Sequence, residues 1–219
     1  GYPASDHQEA YEFVHRSFMH KTVHAGEAYG PESIFQAITD LHADRIGHGY
    51  HLFSPGLCGP GVADPDEYVR RLARYIADRR ITIEVCITSN LQTNPTIKTV
   101  KNHVLGRMLA ENLSATLCTD NRLVSHTTVS RELQLAIEAF EMDLKQLRNT
   151  IVYGFKRSFF PGPYNERRRF VRQIIDNLPL GLNVMDAQGR YLEWNPAMES
   201  IRGRTRERAG GARLATLSG

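Results

Sequence analysis

The sequence predicts an α/β fold, namely part of a (β/α)8 barrel of the TIM type. Its apolar residues fall into four short runs, and each run is followed by a turn and a helical stretch, an alternation typical of parallel βα units. A closed barrel requires eight strands and typically about 250 residues, whereas these four runs lie within about 120 residues. The 219-residue chain is therefore expected to contain half a barrel.

The four runs are interpreted as buried strands because each is short, apolar and bounded by turn residues. They comprise residues 21–24, 44–47, 81–86 and 114–118. Between them, apolar residues recur at helical spacing, as on the buried face of an amphipathic helix. The predicted helices carry Ile34, Ile38 and Leu41 after Pro31; Val69, Leu72, Ala73 and Ile76; Val100, Val104 and Leu105; and Leu133, Ile137 and Phe140. A further helix over residues 6–19 is expected to lead into the first strand.

The composition is that of an ordinary globular protein, with 41% hydrophobic and 23% charged residues. No apolar run reaches the roughly 18 to 20 residues that a membrane-spanning helix requires, and the first residues do not resemble a signal peptide, so a cytoplasmic location is expected. A net charge of +3 is too small to predict a nucleic-acid partner. Cys58, Cys86 and Cys118 lie far apart, which argues against a disulfide framework or a thiolate zinc site. Any metal would need histidine and carboxylate ligands.

A second segment follows the predicted βα units. Pro161-Gly162-Pro163 interrupts the chain, and a basic helix over residues 165–176 comes next. Two short strands, 181–185 and 190–194, then flank a turn and predict a hairpin. The sequence thus predicts two domains, residues 1–177 and 178–219, of which the second, with about 42 residues, is too short to fold alone.

Three of the four predicted strands end, just before a loop, with a side chain capable of metal or proton chemistry: His24, His48 and Asp120. In a parallel barrel the carboxyl ends of all strands open onto one face, so these side chains are expected to converge. Glu27 lies three residues beyond His24, and the small Ala25-Gly26 between them leaves room for a ligand and lets the carboxylate turn back. Imidazole and carboxylate groups together suit a zinc ion that retains a water molecule and lowers its pKa towards neutrality.

Each of these residues also has a structural interpretation. Taken singly, His24 and His48 are explained as hydrogen-bonded histidines at strand ends. Asp120 is explained as a turn former or helix cap, and Glu27 as a solvated loop acid. Their common location favours the functional interpretation. A structural role is predicted for His51, and a surface role is predicted for the histidines on presumed helices or helix ends, which are His7, His15, His20, His42 and His103.

Four ordered strings resemble the later motifs of the adenosine deaminase family. They are Thr22-Val23-His24-Ala25-Gly26-Glu27, Arg45-Ile46-Gly47-His48-Gly49, Cys86-Ile87-Thr88-Ser89-Asn90 and Cys118-Thr119-Asp120-Asn121. The resemblance covers roughly residues 1–177, from the helix before the fifth barrel strand to the closing helix. It implies the last four strands of a (β/α)8 barrel and a zinc-dependent aminohydrolase that converts adenosine to inosine and ammonia.

The resemblance also implies a role for each of the strand-end residues. His24 is implied to be a zinc ligand, and Asp120 a zinc ligand that also bonds the attacking water. Glu27 resembles the proton donor to purine N1, and His48 resembles the group that orients the attacking zinc hydroxide. A purine nucleoside is therefore the expected partner, and Zn²⁺ the expected cofactor.

The predicted substrate contacts are Asn121 and Gly26. The family usually has a second aspartate at the position of Asn121, which is thought to donate a hydrogen bond to purine N7. An amide donates that bond without first being protonated, so purine binding is expected to survive the replacement. Ser89 and Asn90 are interpreted as mainly structural.

One feature of the family is absent from the sequence. The family takes two zinc ligands from a His-x-His pair at the end of its first strand, and no such pair occurs in this chain. A catalytic zinc usually has three or more protein ligands, so this chain alone is expected to bind zinc poorly and to be inactive. The missing half of the barrel is expected upstream. The signature of cytidine-type deaminases is absent as well.

The end of the chain resembles the opening of a PAS sensor domain. The strings that carry this resemblance are Leu180-Gly181-Leu182-Asn183-Val184-Met185-Asp186 and Gly189-Arg190-Tyr191-Leu192-Glu193-Trp194-Asn195-Pro196-Ala197.

Two alternatives to adenosine deamination remain open. One is a non-catalytic purine-binding signalling module coupled to a PAS domain, which the absent His-x-His favours and the four strand-end residues oppose. The other is a deaminase of adenine or another 6-aminopurine.

Overall fold

A parallel sheet of four strands lies within residues 1–159. In a computed structural model, which describes residues 3–177, 183–185, 191–194 and 196–197, the strands follow one another across the sheet in chain order. They are β1 (Thr22–Ala25), β2 (Arg45–His48), β3 (Thr82–Val85) and β4 (Ser114–Leu117). Every adjacent pair is parallel. The four predicted strands are thus confirmed, as is the alternation of strand and helix that parallel pairing requires.

Helices connect the strands, and several of them begin after a side chain that satisfies a free backbone N–H group. Asp64, Thr128 and Asp143 each precede a helix and accept a hydrogen bond from a backbone N–H in its first turn. The helices are α1 (Gln8–Arg16), α2 (Pro31–Thr39), α3 (Pro65–Arg79), α4 (Ile87–Thr93), α5 (Leu105–Ala110), α6 (Arg122–Ser125), α7 (Val129–Phe140) and α8 (Leu144–Lys156). Short 3-10 helices occur at Ala4–His7, Tyr50–Phe53, Pro55–Leu57 and Val100–Asn102.

The predicted helix through Val100, Val104 and Leu105 is interrupted. A 3-10 helix ends at Asn102 and α5 begins at Leu105. Between them, the imidazole Nδ1 of His103 accepts a hydrogen bond from the backbone N–H of Leu105 at 3.1 Å. That N–H lies in the first turn of α5 and has no partner within the helix. A buried imidazole therefore caps a helix where the apolar spacing predicted an unbroken one.

One face of the sheet forms the apolar core. Val23, Ile46, Ile83 and Ala115 stand side by side in register and are at most 1% exposed. Because side chains alternate between the two faces of a strand, these four residues point to the same side. The helix residues that fill this core include Ile34 of α2, Ile76 of α3, and Leu105 and Met108 of α5.

The opposite face carries a network of polar side chains. Arg45 Nε donates a hydrogen bond to Glu84 Oε1 at 2.5 Å, and Thr22 Oγ1 donates to the other oxygen of that carboxylate at 2.9 Å. Arg45 Nη1 also donates to the backbone oxygen of Gly154 in α8 at 3.3 Å. The ion pair thus links three adjacent strands and a helix on the polar side of the sheet.

We predict that this ion pair is required for stability. The side chains of Arg45 and Glu84 are 8% and 22% exposed, so Glu84→Ala would leave a nearly buried guanidinium without its carboxylate. The expected loss is about 3 kcal/mol of unfolding free energy, measured by urea denaturation. The matched control is Glu111→Ala, which breaks an exposed pair with Arg107 and should cost less than about 1 kcal/mol. Equal losses in the two variants would contradict the prediction.

Residues 160–219 form a separate unit. It contains α9 (Tyr164–Asn177), which confirms the predicted basic helix. It also contains the antiparallel strands β5 (Asn183–Met185) and β6 (Tyr191–Trp194), which confirm the pairing of the predicted hairpin. The predicted turn between them lies outside the described residues. The PAS-like interpretation, the domain boundary at 177/178 and the cytoplasmic location stay predictions. Within the described ranges, no helix combines the length and apolar content needed to cross a membrane.

Candidate metal and catalytic site

Three of the predicted site residues come together at the carboxyl ends of β1 and β2. Each of His24, Glu27 and His48 offers one ligand atom, and these atoms all lie within 4.8 Å of one another. His24 is exposed, the side chain of Glu27 is 30% exposed, and that of His48 is 1% exposed. Two imidazoles and a carboxylate are donors that a zinc ion accepts, so the donor set fits a divalent metal.

The loop after β1 brings Glu27 back towards the strand ends. Gly26 has a φ of +68°, a left-handed conformation that favours glycine, and a Cβ there would lie 2.5 Å from Ile34 Cδ1. The Gly26 N–H donates to Ser33 Oγ at 3.0 Å, and its carbonyl accepts from the His51 N–H at 2.7 Å. Backbone conformation and packing together therefore account for glycine at this position. Substrate contact at Gly26 stays a prediction.

The two imidazoles lie against each other. Their ring centroids are 4.8 Å apart, and their planes are nearly perpendicular, at 86°. His48 Nε2 lies 3.4 Å from Glu27 Oε2. Burial lowers the pKa of His48, and the Glu27 carboxylate opposes part of that shift. The arrangement therefore favours a neutral His48 beside an acidic side chain, which suits proton handling.

Glycine at position 47 makes room for the His24 ring. Gly47 lies directly opposite His24 in the β1–β2 pairing, and a Cβ at Gly47 would lie 2.8 Å from His24 Cδ2. That distance is shorter than a Cβ contact tolerates, so a larger residue would push the imidazole out of place.

We predict that Gly47→Ala weakens zinc binding by at least about tenfold, because it displaces His24. Competition with a chromogenic chelator, performed on the complete gene product, measures the affinity. Gly56→Ala is the matched control, since a Cβ at Gly56 would have no neighbour within 4 Å. Unchanged zinc affinity in Gly47→Ala would remove His24 from the metal site.

Asp120 and Asn121 lie beyond β4, and the three-residue cluster does not include them. Asp120 Oδ2 accepts a hydrogen bond from Ser89 Oγ at 2.8 Å. Its negative charge nevertheless raises the pKa of His48 against the larger lowering effect of burial. Asn121 Oδ1 caps α6 by accepting from the Val124 N–H at 3.2 Å. The ligand role of Asp120 and the purine contact of Asn121 stay predictions.

A cavity of about 220 Å³ borders the cluster, and its lining includes His24, Gly26, Glu27 and Gln36. A larger cavity, of about 620 Å³, lies elsewhere, between α2, α3 and the loop at residues 61–64. The smaller cavity is the relevant one for catalysis, because two members of the cluster, His24 and Glu27, line it.

Two buried polar residues near the site escaped the sequence analysis. Glu132, in α7, is completely buried and accepts hydrogen bonds from the Thr88 N–H and from the hydroxyls of Thr88 and Thr127. It thereby fastens the segment between α6 and α7 to the start of α4. The surface role predicted for His103 is wrong, because His103 is only 3% exposed. Neither residue interrupts the apolar spacing of its segment, so no sequence signal marked it.

We predict that His103 makes stability depend on pH. Burial lowers its pKa from 6.5 to about 4, and His48 contributes. The unfolded chain therefore binds the proton first as the pH falls. The stabilisation is complete above pH 6.5 and is lost towards pH 4, at about 1.4 kcal/mol per pH unit at most. Urea midpoints between these pH values should fall less steeply in His103→Gln, which cannot titrate. Parallel slopes would contradict the prediction.

Comparison with known proteins decides the family. The model of the adenosine deaminase family matches residues 2–177. The chain belongs to the adenosine deaminase family. Proteins of this family are metal-dependent hydrolases. Adenosine deaminase 1 of Streptomyces coelicolor is 38% identical to this chain over 175 residues, which are 80% of this chain and 43% of that protein. The adenosine deaminase of Mycobacterium sp. (strain JLS) is 34% identical, with 80% and 47% covered. The chain thus spans a little under half of these relatives.

Solved structures of this fold support the barrel interpretation. The adenine deaminase from Arthrobacter aurescens superposes with a TM-score of 0.65 at 18% identity, covering 80% of this chain and 48% of that one. An amidohydrolase from Burkholderia ambifaria with bound Zn gives a TM-score of 0.61 at 21% identity, covering 77% and 43%. The parallel sheet therefore resembles a part of the TIM-type barrel of the family.

Proposed function

We propose that this chain forms the C-terminal portion of the catalytic barrel of a zinc-dependent purine aminohydrolase, which converts adenosine and water to inosine and ammonia. One observation carries the proposal: His24, Glu27 and His48 meet within 4.8 Å at the strand ends of a chain from the adenosine deaminase family. Isolated histidines with structural roles would have no reason to share this location with an acid.

The proposed reaction adds the oxygen of water to C6 of the purine and releases the C6 amino group as ammonia. Glu27 would hold a proton and give it to N1 as the oxygen adds. His48 and Asp120 would orient the attacking water and handle the proton that it loses, which leaves with ammonia. As the bond between C6 and the amino nitrogen breaks, the proton of the new C6 hydroxyl would return to Glu27 and restore its starting state. The partly exposed Glu27 beside the buried His48 supports this division between an acid at the mouth and an orienting group behind it.

Zinc belongs to the proposal because the donor set fits it. By the family resemblance, His24 of the cluster and Asp120, which lies outside it, would hold the ion from this chain, and the ion would supply a water molecule of lowered pKa. Two protein ligands are fewer than a catalytic zinc usually has. The proposal therefore includes a His-x-His pair supplied by sequence outside the 219 residues.

Adenosine is the first candidate substrate, because relatives at 33–38% identity are named adenosine deaminases. Adenine is the second candidate, since a solved structure of the same fold is an adenine deaminase. The non-catalytic signalling module is the third, because the chain lacks a His-x-His. Assays of the complete gene product with adenosine and adenine, followed by the change in ultraviolet absorbance, distinguish the three.

We predict that Glu27→Gln, made in the complete gene product, abolishes adenosine turnover and leaves the zinc content unchanged. An amide keeps the shape of the carboxyl group but cannot give a proton to N1, so kcat should fall at least about 100-fold. Metal analysis and the absorbance assay provide the two measurements.

The matched control is Glu138→Gln, which makes the same change on the exposed side of α7, where Gln134 contacts the carboxylate. Its activity should equal that of the unmodified protein. Full turnover in Glu27→Gln would remove Glu27 from its role, whereas loss of zinc in that variant would show that the carboxylate binds the metal instead.

A further inference from the structure

A buried chain of hydrogen bonds leads from α5 to the imidazole of His48. The Leu105 N–H donates to His103 Nδ1 at 3.1 Å. His103 Nε2 lies 3.2 Å from Asn90 Oδ1, and Asn90 Nδ2 lies 3.2 Å from His48 Nδ1. On the far side of the His48 ring, Nε2 lies 3.4 Å from Glu27 Oε2.

The order of donors and acceptors along these hydrogen bonds is fixed where they begin, at the Leu105 N–H. A backbone N–H can only donate, so His103 Nδ1 must accept and the proton of the neutral ring must be on Nε2. The Nε2–H can only donate to the oxygen of the Asn90 amide, which turns the NH₂ of that amide towards His48. His48 Nδ1 must then accept, and the proton of the neutral His48 must be on Nε2. Each step follows from the one before it.

Because these residues are buried, a mismatch of hydrogen-bond donors and acceptors would cost free energy. Asn90 and His48 are each 1% exposed, and His103 is 3% exposed, so water cannot replace a mismatched partner. Two facing donors or two facing acceptors would leave polar groups unsatisfied in the protein interior, at a cost of about 1 to 3 kcal/mol each. The hydrogen bonds through His103 and Asn90 therefore select one tautomer of His48.

We propose that His103 and Asn90 are positioning residues that hold His48 with its N–H directed at the mouth of the site. This inference rests on the proposed function and refines it. With its lone pair turned to Asn90, a neutral His48 donates a hydrogen bond to the attacking oxygen and orients it. Proton acceptance then falls to a carboxylate, for which Asp120 is the candidate on this chain.

The tautomer can be observed without any assay of activity. Long-range ¹H–¹⁵N spectra of the ¹⁵N-histidine-labelled complete gene product distinguish a protonated from an unprotonated ring nitrogen. His48→Gln identifies the signals of His48. We expect His48 to carry its proton on Nε2. A proton on Nδ1 in the unmodified protein would overturn the proposal directly.

Asn90→Asp tests the order of donors. A carboxylate has no N–H, so it can only accept, and His48 would then have to carry a proton on Nδ1. We expect that change in the spectra, together with a fall in kcat for adenosine of at least about 100-fold and a KM within about threefold of the original. The matched control is Asn102→Asp, which adds the same charge at an exposed site where the Thr99 hydroxyl bonds the side-chain oxygen. It should change neither property. Equal kcat in the two variants would overturn the proposal.

Two substitutions test His103, the first side chain in this series of hydrogen bonds. His103→Gln keeps an N–H near the position of Nε2, whereas His103→Leu removes it. We expect His103→Leu to lose at least about tenfold in kcat and His103→Gln to recover most of that loss. A folded His103→Leu with full kcat would exclude His103, and if it fails to fold, Asn90→Asp and the unmodified spectra decide. An inactive unmodified protein with the expected His48 tautomer would refute the proposed function but support the positioning.

Discussion

The candidate site depends on the parallel pairing of β1 with β2. Their register sets His24 opposite Gly47 and Ala25 opposite His48, which brings two imidazoles from distant parts of the sequence onto adjacent strands. The ladder continues past the strands, since the Gly49 N–H donates to the Ala25 oxygen at 3.0 Å. The same backbone contacts therefore hold the loop that carries Glu27. A slip of one residue would turn His24 to the apolar face of the sheet and disperse the cluster.

The strands and the amphipathic helices were predictable because their signal is local. A short apolar run bounded by turn residues, or an apolar face that repeats every 3.6 residues, is present in the sequence before any tertiary contact forms. His24 and His48 were predictable for a related reason, since the topology of a parallel sheet places strand ends on one side. Glu27 was predictable from its short separation from His24. In each case a single segment, or a single rule of topology, contained the information.

The buried polar residues were not predictable in this way. His103 bonds to Asn90, and Glu132 bonds to Thr88, across long stretches of sequence that no periodicity connects. A histidine or glutamate in a helical segment looks like a surface residue until its partners are known. Asp120 shows the same limit more mildly. The sequence placed it at a strand end, but it lies beyond β4, where its bond with Ser89 determines the position of its carboxylate.

Two of the candidate site residues have strained backbones, which indicates how the site is held. His48 has a φ of 65° and Asp120 a φ of 53°, in the left-handed region that costs a non-glycine residue about 1 kcal/mol or more. Such conformations persist only where other contacts determine them. For His48 these are the β-sheet register and the bond with Asn90, and for Asp120 the bond with Ser89. Ser89 and Asn90 are adjacent in α4, so one helical turn fixes the side chain of His48 at the end of β2 and that of Asp120 beyond β4. Contacts within this chain therefore orient His48 and Asp120 before any substrate binds, and α4 is the element that couples them.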